Sequence, residues 1–396
     1  MRNCYAIVPM LYSRYMSTRR RIPPLGRLRV RKERPTNTVL FPLGPYTPAT
    51  AQPFALLLRL RGETIVGVEP PETGYCRRGI SALVEGRTVD AALPVVEHSC
   101  SYAGTAHRIA FCRAVETAAG VAPSKTAVNT RILFAEIERI LARLWTLGAT
   151  ARAFSLPTFW KTALQQREDL FAALEDAAGT RAFWGVAIAG GVRGDLDFEP
   201  LRTALDVVET SVTAWRVAVG PQGPLGRAGK GVGRISDERA REYGLRGLAG
   251  AGSYATEDAR QAESGYAALD VEWPSLDGKR SGDVAARLNV AVEDIATSVA
   301  LAKACLGTLP EGGANAARAI SLPNGALALN ATVEGPHGPV TVSLARSAAG
   351  ALGDLHIETT APALLDALPA LLEGRTLAHA LAILASLDLC LECLDQ

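Results

Sequence analysis

Apolar residues recur at helical spacing in several long stretches of this chain. Between Thr130 and Leu147 they fall three and four positions apart, which predicts an amphipathic helix that ends at Gly148. The same spacing predicts helices over 163–178, 201–217 and 284–306. Long helices with few strands between them are typical of a helical bundle at the centre of a protein.

Two other stretches show the pattern of antiparallel strands. Over 54–68, apolar runs lie on both sides of Gly62 and alternate with polar residues near it, which predicts two strands joined by a turn. Over 328–333 and 340–344, a second pair of strand-like runs flanks the turn sequence 335–338. The chain therefore combines a sheet near each end with helices between them.

These elements predict an α+β fold, with a central long-helix bundle, an N-terminal antiparallel β-sheet and a C-terminal α/β segment that buries the C-terminus. A final apolar helix is expected to deliver Cys390 to the interior. The predicted regions are a basic N-terminal extension at 1–38, a β-rich region at 39–95, the helical bundle at 96–310 and a C-terminal α/β region at 311–396. Within the bundle region, residues 220–283 are rich in glycine and charge, and they are expected to form an extended excursion with little core of its own.

Composition limits the classes of function. The 396 residues carry a net charge of +2, which provides no global field for binding nucleic acid. The best apolar candidate for a membrane span, 377–394, is interrupted by His379, Asp388 and Glu392, so no transmembrane helix is predicted. Any membrane association is expected to come through partner subunits. Seven cysteines, an odd number without a convincing signal peptide, indicate reduced thiols, some of them ligands.

The first part of the chain is strongly basic. Residues 14–34 contain eight arginines and Lys32 around Pro23 and Pro24. The plainest interpretation is a disordered tail, or a chain start placed too early with Met16 as the true beginning. Two others stay open: a basic arm that covers an acidic partner or an anionic membrane surface, and a mitochondrial presequence.

Cysteine residues cluster at two places nearly the whole chain apart. Cys100 is followed by His107, and Cys390 and Cys393 form a Cys-x-x-Cys pair near the last residue. Thiolates are soft anionic ligands, and such a pair places two sulfurs close enough to hold one metal ion or a bridged pair. The alternative is a pair of buried apolar side chains, because free cysteine is common in protein cores. A metal site requires Cys100 to lie within about 5 Å of the pair, and we expect that convergence.

Short motifs occur in a fixed order from about residue 40 to the end of the chain. They are Gly44–Thr50, Gly74–Ile80, Glu85–Arg87, Arg131–Gly148, Gly190–Leu196, Gly231–Gly233 and Leu309–Gly312, followed by the pair of cysteines. Together they resemble the large subunit of energy-converting nickel–iron hydrogenases and the quinone-pocket subunit of respiratory complex I. The resemblance implies an oxidoreductase complex in which an iron–sulfur small subunit and membrane-arm subunits are the partners.

The resemblance also implies a nickel–iron centre, for which this sequence has an incomplete set of ligands. Cys100, Cys390 and Cys393 match three of the four thiolates of the hydrogenases, the first two as terminal ligands and Cys393 as a bridge. Ala103 stands at the position of the fourth thiolate, so one bridge is missing. Ser81 stands at the position of a glutamate that helps to pass protons in the hydrogenases.

Arg78, His107 and Asp388 are the candidate catalytic residues, and the resemblance supplies the roles of the first two. It implies that Arg78 lies near the iron–sulfur cluster of the small subunit, where its charge raises the reduction potential. It implies that His107 hydrogen-bonds near the metal site. Asp388 is expected to orient the C-terminal turn by accepting backbone hydrogen bonds, in a role that is either structural or catalytic. One of Glu136 and Glu138 is expected on a solvated face. Expected to have no role in the site are Cys4, Cys76, Cys112, Cys305, His337, His356 and His379.

We hypothesise a large subunit of an energy-converting hydrogenase-like complex, peripheral on the cytoplasmic face of the inner (plasma) membrane. It would couple electron transfer from the small subunit to proton and hydrogen chemistry. One alternative is a coupling or structural subunit that keeps the fold and the interface without the cofactor. Another is a quinone-site subunit of a complex I-like NADH:quinone oxidoreductase. Against this last alternative, Thr47, Val89 and Ala153 stand where the resemblance places a histidine, a tyrosine and an aspartate.

Overall fold

Long helices pack beside small antiparallel sheets in this protein, seen here in a computed structural model. The structure describes residues 37–254, 258–276, 278–310 and 319–394. The predicted basic extension at 1–38 lies outside these residues apart from its last two positions. The arrangement of helices and sheets confirms the predicted α+β class.

The elements follow one another along the chain in this order. The strands are β1 Val39–Leu43, β2 Leu56–Arg61, β3 Thr64–Val68, β4 Ala187–Ile188, β5 Gly191–Val192, β6 Leu327–Gly335, β7 Gly338–Arg346 and β8 Leu352–Glu358. The helices are α1 Ile80–Val84, α2 Val89–Glu97, α3 Gly104–Ala119, α4 Lys125–Ala153, α5 Pro157–Ala178, α6 Glu199–Val219, α7 Pro224–Gly229, α8 Asp237–Glu242, α9 Gly247–Ala251, α10 Ala259–Ala262, α11 Ser264–Ala267, α12 Val284–Thr308, α13 Ala361–Asp366, α14 Leu368–Leu372 and α15 Leu377–Ser386, with a final 3₁₀ turn at Glu392–Leu394.

The N-terminal sheet has the antiparallel order β1–β2–β3. Leu58 of β2 lies opposite Phe41 in β1 and Val68 in β3. Leu56, Leu58 and Leu60 are buried, because alternate side chains of a strand point to the same face of the sheet. The predicted pair of strands around Gly62 is therefore confirmed.

Helix α4 is the central element and packs against α5, α12 and α15. The prediction that it ends at Gly148 is wrong, since the helix continues to Ala153. A Cβ atom at Gly148 would lie 2.9 Å from the Cβ atom of Ala163 and 3.0 Å from the ring of Trp160. The glycine is needed for the close approach of α5, and it does not mark the end of α4.

The stretch 220–283 is more structured than the extended excursion that the sequence predicts. Its described residues contain the short helices α7 to α11. Leu225, Leu245 and Leu248 are buried and belong to the core that surrounds α4. The described residues of the stretch therefore pack onto the bundle instead of extending away from it.

The C-terminal sheet has the order β6–β7–β8. The predicted hairpin is confirmed, with Val333 opposite Val340 across its turn. The sequence does not predict β8, because an irregularity in its pairing between Ser343 and Ala345 breaks the alternation of apolar and polar residues. The predicted final apolar helix is α15, after which the chain turns inward. Among the described helices, none has the length and apolar character needed to cross a membrane.

Candidate metal centre

The loop between α2 and α3 carries Cys100 and is held by a network of local hydrogen bonds. The Ser99 hydroxyl donates to the carbonyl oxygen of Val96 at 2.7 Å. The guanidinium group of Arg78 donates to the carbonyl oxygens of His98 at 2.6 Å and Ser99 at 2.7 Å. These bonds fix the backbone immediately before Cys100. Arg78 therefore positions this loop, whereas its predicted effect on a partner's cluster stays a prediction.

The end of the chain is clamped onto the same loop. The carboxylate of Glu392 accepts hydrogen bonds from the backbone N–H and the hydroxyl of Ser101, both at 2.6 Å. Asp388 adopts the left-handed backbone conformation, with a φ of 56°, that turns the chain after α15. The side chain of Gln52 accepts a hydrogen bond from Leu391 N at 3.4 Å. The local sequence gives no signal for the role of Glu392, because its partner lies 291 positions away.

Cys100, Cys390 and Cys393 meet in the interior, as the sequence analysis expected. The Sγ atom of Cys390 lies 3.2 Å from that of Cys100 and 3.3 Å from that of Cys393. All three Sγ atoms lie within 4.8 Å of one another, and the side chains are buried. Among the described residues, no other group of histidine, cysteine and acidic side chains is placed to hold a metal ion. That the three thiols bind a metal stays a prediction.

The three thiols differ in acidity because they share hydrogen bonds. Hydrogen bonds from Cys100 and Cys393 lower the pKa of Cys390 to about 5, against the effect of burial. Burial, together with the bond to Cys390, raises the pKa of Cys100 to about 12. The cluster is therefore expected to carry one thiolate at neutral pH before any metal binds. A thiolate is the form of cysteine that binds metals and acts as a nucleophile.

His107 lies beside the thiols and is fully buried. Its Nδ1 atom lies 2.6 Å from the carbonyl oxygen of Ala103, one turn earlier in α3. Its Nε2 atom lies 3.5 Å from the Sγ atom of Cys393. The structure thus places His107 next to the thiol cluster, and it makes these contacts within the chain.

Ala103 lies with the cysteines in one buried cluster, but its methyl group offers no ligand atom. A nickel–iron pair is held by four thiolates in the hydrogenases that the sequence resembles, and two of the four bridge the metals. Three thiols meet here, and the second bridge is absent. The residues present therefore do not fit a nickel–iron centre of that kind.

A network of charged and polar side chains surrounds Asp388, two residues before Cys390. Asp388 accepts hydrogen bonds from Arg143, from the hydroxyl of Thr146 at 2.7 Å and from Nδ1 of His337 at 2.9 Å. Burial opposes its ionisation, but His337 and Arg143 hold the pKa of Asp388 at about 2. Asp388 therefore anchors the turn before Cys390 through hydrogen bonds with other side chains, instead of the backbone hydrogen bonds that were expected.

His337 was assigned no role from the sequence, and the structure brings it to the site. Burial lowers its pKa, but the charge of Asp388 outweighs burial and raises the pKa of His337 above its usual value. Its position in the turn between β6 and β7 has no ligand-like spacing to Cys390. Only the docking of that turn against α4 places the imidazole beside Asp388.

The prediction of a solvated face at Glu136 or Glu138 is wrong, because both side chains are buried. Glu138 accepts hydrogen bonds from the backbone N–H groups of Thr105 at 2.8 Å and Ala106 at 3.3 Å, at the start of α3. Burial nevertheless raises the pKa of Glu138 to about 8. Glu136 accepts from Arg260 at 2.8 Å. Both carboxyl groups hold elements together inside the protein.

The other residues singled out from the sequence are buried or form hydrogen bonds with neighbouring parts of the chain. Ser81, in place of the hydrogenase glutamate, donates to the carbonyl oxygen of Leu355 at 2.8 Å and so joins α1 to β8. Cys112 and Cys305 are buried away from the thiol cluster. The Thr47 hydroxyl lies 3.2 Å from that of Thr50 and supports its own loop. These residues contribute packing and local hydrogen bonds.

A small cavity lies between the loop after β1 and the Asp388 network. It measures 20 Å³ and is lined by Thr50, Gln52, Tyr102, His337 and Asp388 among others. This volume is enough for a single water molecule, not for the ring of a quinone.

Comparisons with known proteins show which proteins the whole chain is similar to. Residues 155–326 match the family described as the 49 Kd subunit of the respiratory-chain NADH dehydrogenase. An NADH-quinone oxidoreductase subunit of Thermodesulfovibrio yellowstonii is 26% identical, over 92% of this chain and 98% of that protein. The carbon monoxide-induced hydrogenase of Rhodospirillum rubrum is 24% identical, over 91% of this chain and 100% of that protein.

A solved structure has the same fold. A chain of the membrane-bound sulfane sulfur reductase, an archaeal respiratory membrane complex, superimposes with a TM-score of 0.80 at 23% identity. The match covers 91% of this chain and 99% of that one. Together with the relatives and the order of the motifs, it confirms the resemblance found in the sequence. Over most of its length the chain is therefore similar to NADH-quinone oxidoreductase subunits of the complex I type and to a carbon monoxide-induced hydrogenase.

Proposed function

We propose that this chain is the large peripheral subunit of a membrane-bound oxidoreductase complex of the complex I and hydrogenase type. In this complex it works beside an iron–sulfur small subunit and on a membrane arm, at the cytoplasmic face of the inner (plasma) membrane. The printed names of its relatives support the assembly, since they include a quinone oxidoreductase subunit, a hydrogenase and a chain of a respiratory membrane complex. The absence of a spanning helix among the described residues is compatible with a peripheral subunit.

One observation carries the proposal about chemistry. Three thiols from opposite ends of the chain meet in the interior, and Ala103 takes the place of the fourth. The sequence left open hydrogen chemistry at a nickel–iron centre and coupling without that centre. The presence of only three thiols in this cluster supports coupling without the nickel–iron centre, because two metals need both bridging sulfurs to be held close together. We therefore propose a coupling subunit that has kept the thiol site and lost the nickel–iron chemistry.

The surface near Arg78 is where we place the contact with the small subunit. Arg78 is exposed although two of its N–H groups are bonded to backbone carbonyls. Tyr75 and Leu83, close to it in sequence, are large apolar side chains with 39% and 47% of their surfaces exposed. Exposed apolar groups close to a fixed positive charge support a protein interface.

The test is purification of the tagged chain from membranes of its own organism. We expect an iron–sulfur subunit and membrane-arm subunits to co-purify, and we expect little or no hydrogen uptake with an artificial electron acceptor. Recovery of the chain as a soluble, monodisperse monomer would contradict the assembly. Robust hydrogen uptake, with nickel retained in the purified complex, would contradict the loss of the centre and restore the hydrogenase function. Quinone reduction that is lost on changes at Thr47 would favour the complex I-like alternative.

A further inference from the structure

Two thiols of the cluster are already in contact with each other. The Sγ atom of Cys390 lies 3.2 Å from that of Cys100, and the two sulfurs share a hydrogen bond. A disulfide bond is about 2.05 Å long, so the sulfurs would have to approach by about 1.2 Å to form one. The bonds of 2.6 Å between Glu392 and Ser101 hold the two backbone segments side by side. The pair is therefore placed to be joined by a small movement.

A small cavity borders Cys100. It measures 30 Å³ and is lined by Cys100, Tyr102, Glu138, Arg167 and Phe183 among others. One water molecule needs about 10 to 15 Å³ of such space, so this cavity has room for a molecule of about two heavy atoms. Several of its lining side chains are ionisable, which suits a small polar molecule. Hydrogen peroxide has this size and this polarity.

Of the three thiols of the cluster, only that of Cys100 lines this cavity. An oxygen atom added to its sulfur would find space there. The thiols are otherwise buried, so larger oxidants are kept away from them. The sulfur of Cys390, in contact with that of Cys100, is in the position of a thiol that attacks an oxidised neighbour.

We infer that Cys100 and Cys390 form a reversible disulfide, with hydrogen peroxide as the oxidant. The sulfur of Cys100 attacks one oxygen of the peroxide while its proton passes along the hydrogen bond to Cys390. The O–O bond breaks, and the hydroxide that leaves takes up this proton and becomes water. The sulfur of Cys390 then attacks the sulfur of Cys100 and displaces the second oxygen as hydroxide. The two sulfurs lose two electrons, and the two oxygens of the peroxide gain them.

The disulfide would lock the closure of the chain end. It would join the loop before α3 to the turn after α15 across 290 positions of sequence, beside the contact of Glu392 with Ser101. Disulfides inside cells are usually transient and serve catalysis or sensing, and a small dithiol reverses them by exchange. The inference rests on the proposed function in one respect, that no nickel–iron pair holds the thiols. It adds that the thiols respond to an oxidant.

The test uses the complex purified with a reductant, which is then removed, and hydrogen peroxide is the probe. We expect each chain to lose two reactive thiols, and mass spectrometry without reduction to find a peptide pair that links Cys100 to Cys390. The denatured chain should also migrate faster on a gel without reductant, because the link closes a loop that spans 290 positions. Dithiothreitol should restore both thiols.

Matched variants identify the two sulfurs. Cys390→Ser should abolish the link and leave Cys100 as a sulfenic acid that dimedone traps, whereas Cys393→Ser should still form the link. Cys112→Ala is the control, since Cys112 is a buried cysteine of α3 outside the cluster, and the link should form in it at an unchanged rate.

Three results would contradict the inference. Thiols that stay free in the folded complex with peroxide would overturn it, and so would a link that forms only between Cys390 and Cys393. Thiols that are protected by bound nickel and iron would overturn it together with the proposed loss of that centre. If no link forms and hydrogen uptake is also absent, this inference fails while the proposed function stands.

Discussion

Ala103 determines what the thiol site can hold, because it lies among the cysteines without providing a ligand. It stands immediately before the first residue of α3, and its carbonyl orients His107. Its side chain is almost fully buried, so a sulfur added there would be retained within the cluster. This one residue therefore leaves incomplete the set of four thiolates that a nickel–iron pair requires in the hydrogenases that the sequence resembles.

Changing Ala103→Cys should increase nickel retention when the maturation machinery of a nickel–iron hydrogenase is supplied. The change restores a fourth thiolate, whose charge and bridging position a metal pair requires. Elemental analysis of the purified complex measures the effect. Ala106→Cys, another buried position of α3, is the control and should retain no additional nickel. Equal nickel content in both variants would show that the position of the fourth thiol is not what limits binding.

The pair of His337 and Asp388 should make stability depend on pH. Because Asp388 raises the pKa of His337, the pair's contribution is fully present below about pH 6.5 and is lost as the pH rises through the raised pKa. His337→Gln should therefore lower the free energy of unfolding by about 2 kcal/mol at pH 6, and by less at pH 9.

Denaturant unfolding of both proteins at the two pH values measures the difference. His356→Gln is the control, because the His356 side chain is 64% exposed and its contact with Glu358 lies at the surface. We expect that variant to match the unchanged protein at either pH. A loss of stability in His337→Gln that is the same at pH 6 and pH 9 would rule out a charged His337.

At the scale of elements, the length of α4 depends on how closely α5 packs against it. Helix α4 runs for 29 residues and contributes Glu138, Arg143 and Thr146 to the surroundings of the thiol site. A helix that ended at Gly148 would still carry these three residues. The continuation to Ala153 instead serves the contact with α5, where Trp160 lies over the glycine.

Gly148→Ala should destabilise the protein, although alanine is the better helix former. The new Cβ atom would meet the Cβ atom of Ala163 at 2.9 Å, which we expect to cost about 1 to 3 kcal/mol of unfolding free energy. Gly307→Ala in α12 is the matched control, because nothing lies within 4 Å of its Cβ position. There the higher helix propensity should stabilise the protein by up to about 1 kcal/mol. Stabilisation by both changes would mean that α5 is free to move away.

At the scale of the whole molecule, the site exists only because the chain end is docked against the loop before α3. Glu392 makes that contact through Ser101, and Gln52 of the loop after β1 adds a backbone hydrogen bond at Leu391. Three regions far apart in sequence therefore close over the thiols. The thiols are buried as a result of this closure.

Glu392→Ala should open this closure and expose the thiols more often. The loss of the carboxylate leaves the N–H and hydroxyl of Ser101 without their present partner. We expect alkylation of Cys390 and Cys393 by a small reagent to become at least about tenfold faster, which corresponds to about 1.4 kcal/mol of opening free energy. Mass spectrometry of the labelled cysteines follows the rate. Glu358→Ala, at an exposed glutamate of β8, should leave the rate unchanged. Equal rates in all three proteins would show that Glu392 does not hold the chain end.

The sequence by itself determined the fold class, the long helices, two of the sheets and the resemblance to complex I subunits and hydrogenases. Hydrophobic periodicity and turn residues are local signals, so α4, α12 and the hairpin of β6 and β7 could be read from the order of residues. The ligand-like pattern of Cys100 with the Cys390 and Cys393 pair was also visible, because cysteine spacing carries a chemical meaning. The sequence did not reveal β8, whose alternation is broken, or the continuation of α4 past Gly148.

Only the tertiary structure decided which polar groups surround the thiols. Glu392, His337 and Glu138 reach the site through contacts between residues 32 to 291 positions apart, and no local pattern marks such pairs. The contact between Nδ1 of His107 and the carbonyl oxygen of Ala103 orients the imidazole ring. The distance from Nε2 of that ring to the Sγ atom of Cys393 depends on the docking of the chain end. Side chains supply the chemistry, but the distances between them depend on how the elements pack.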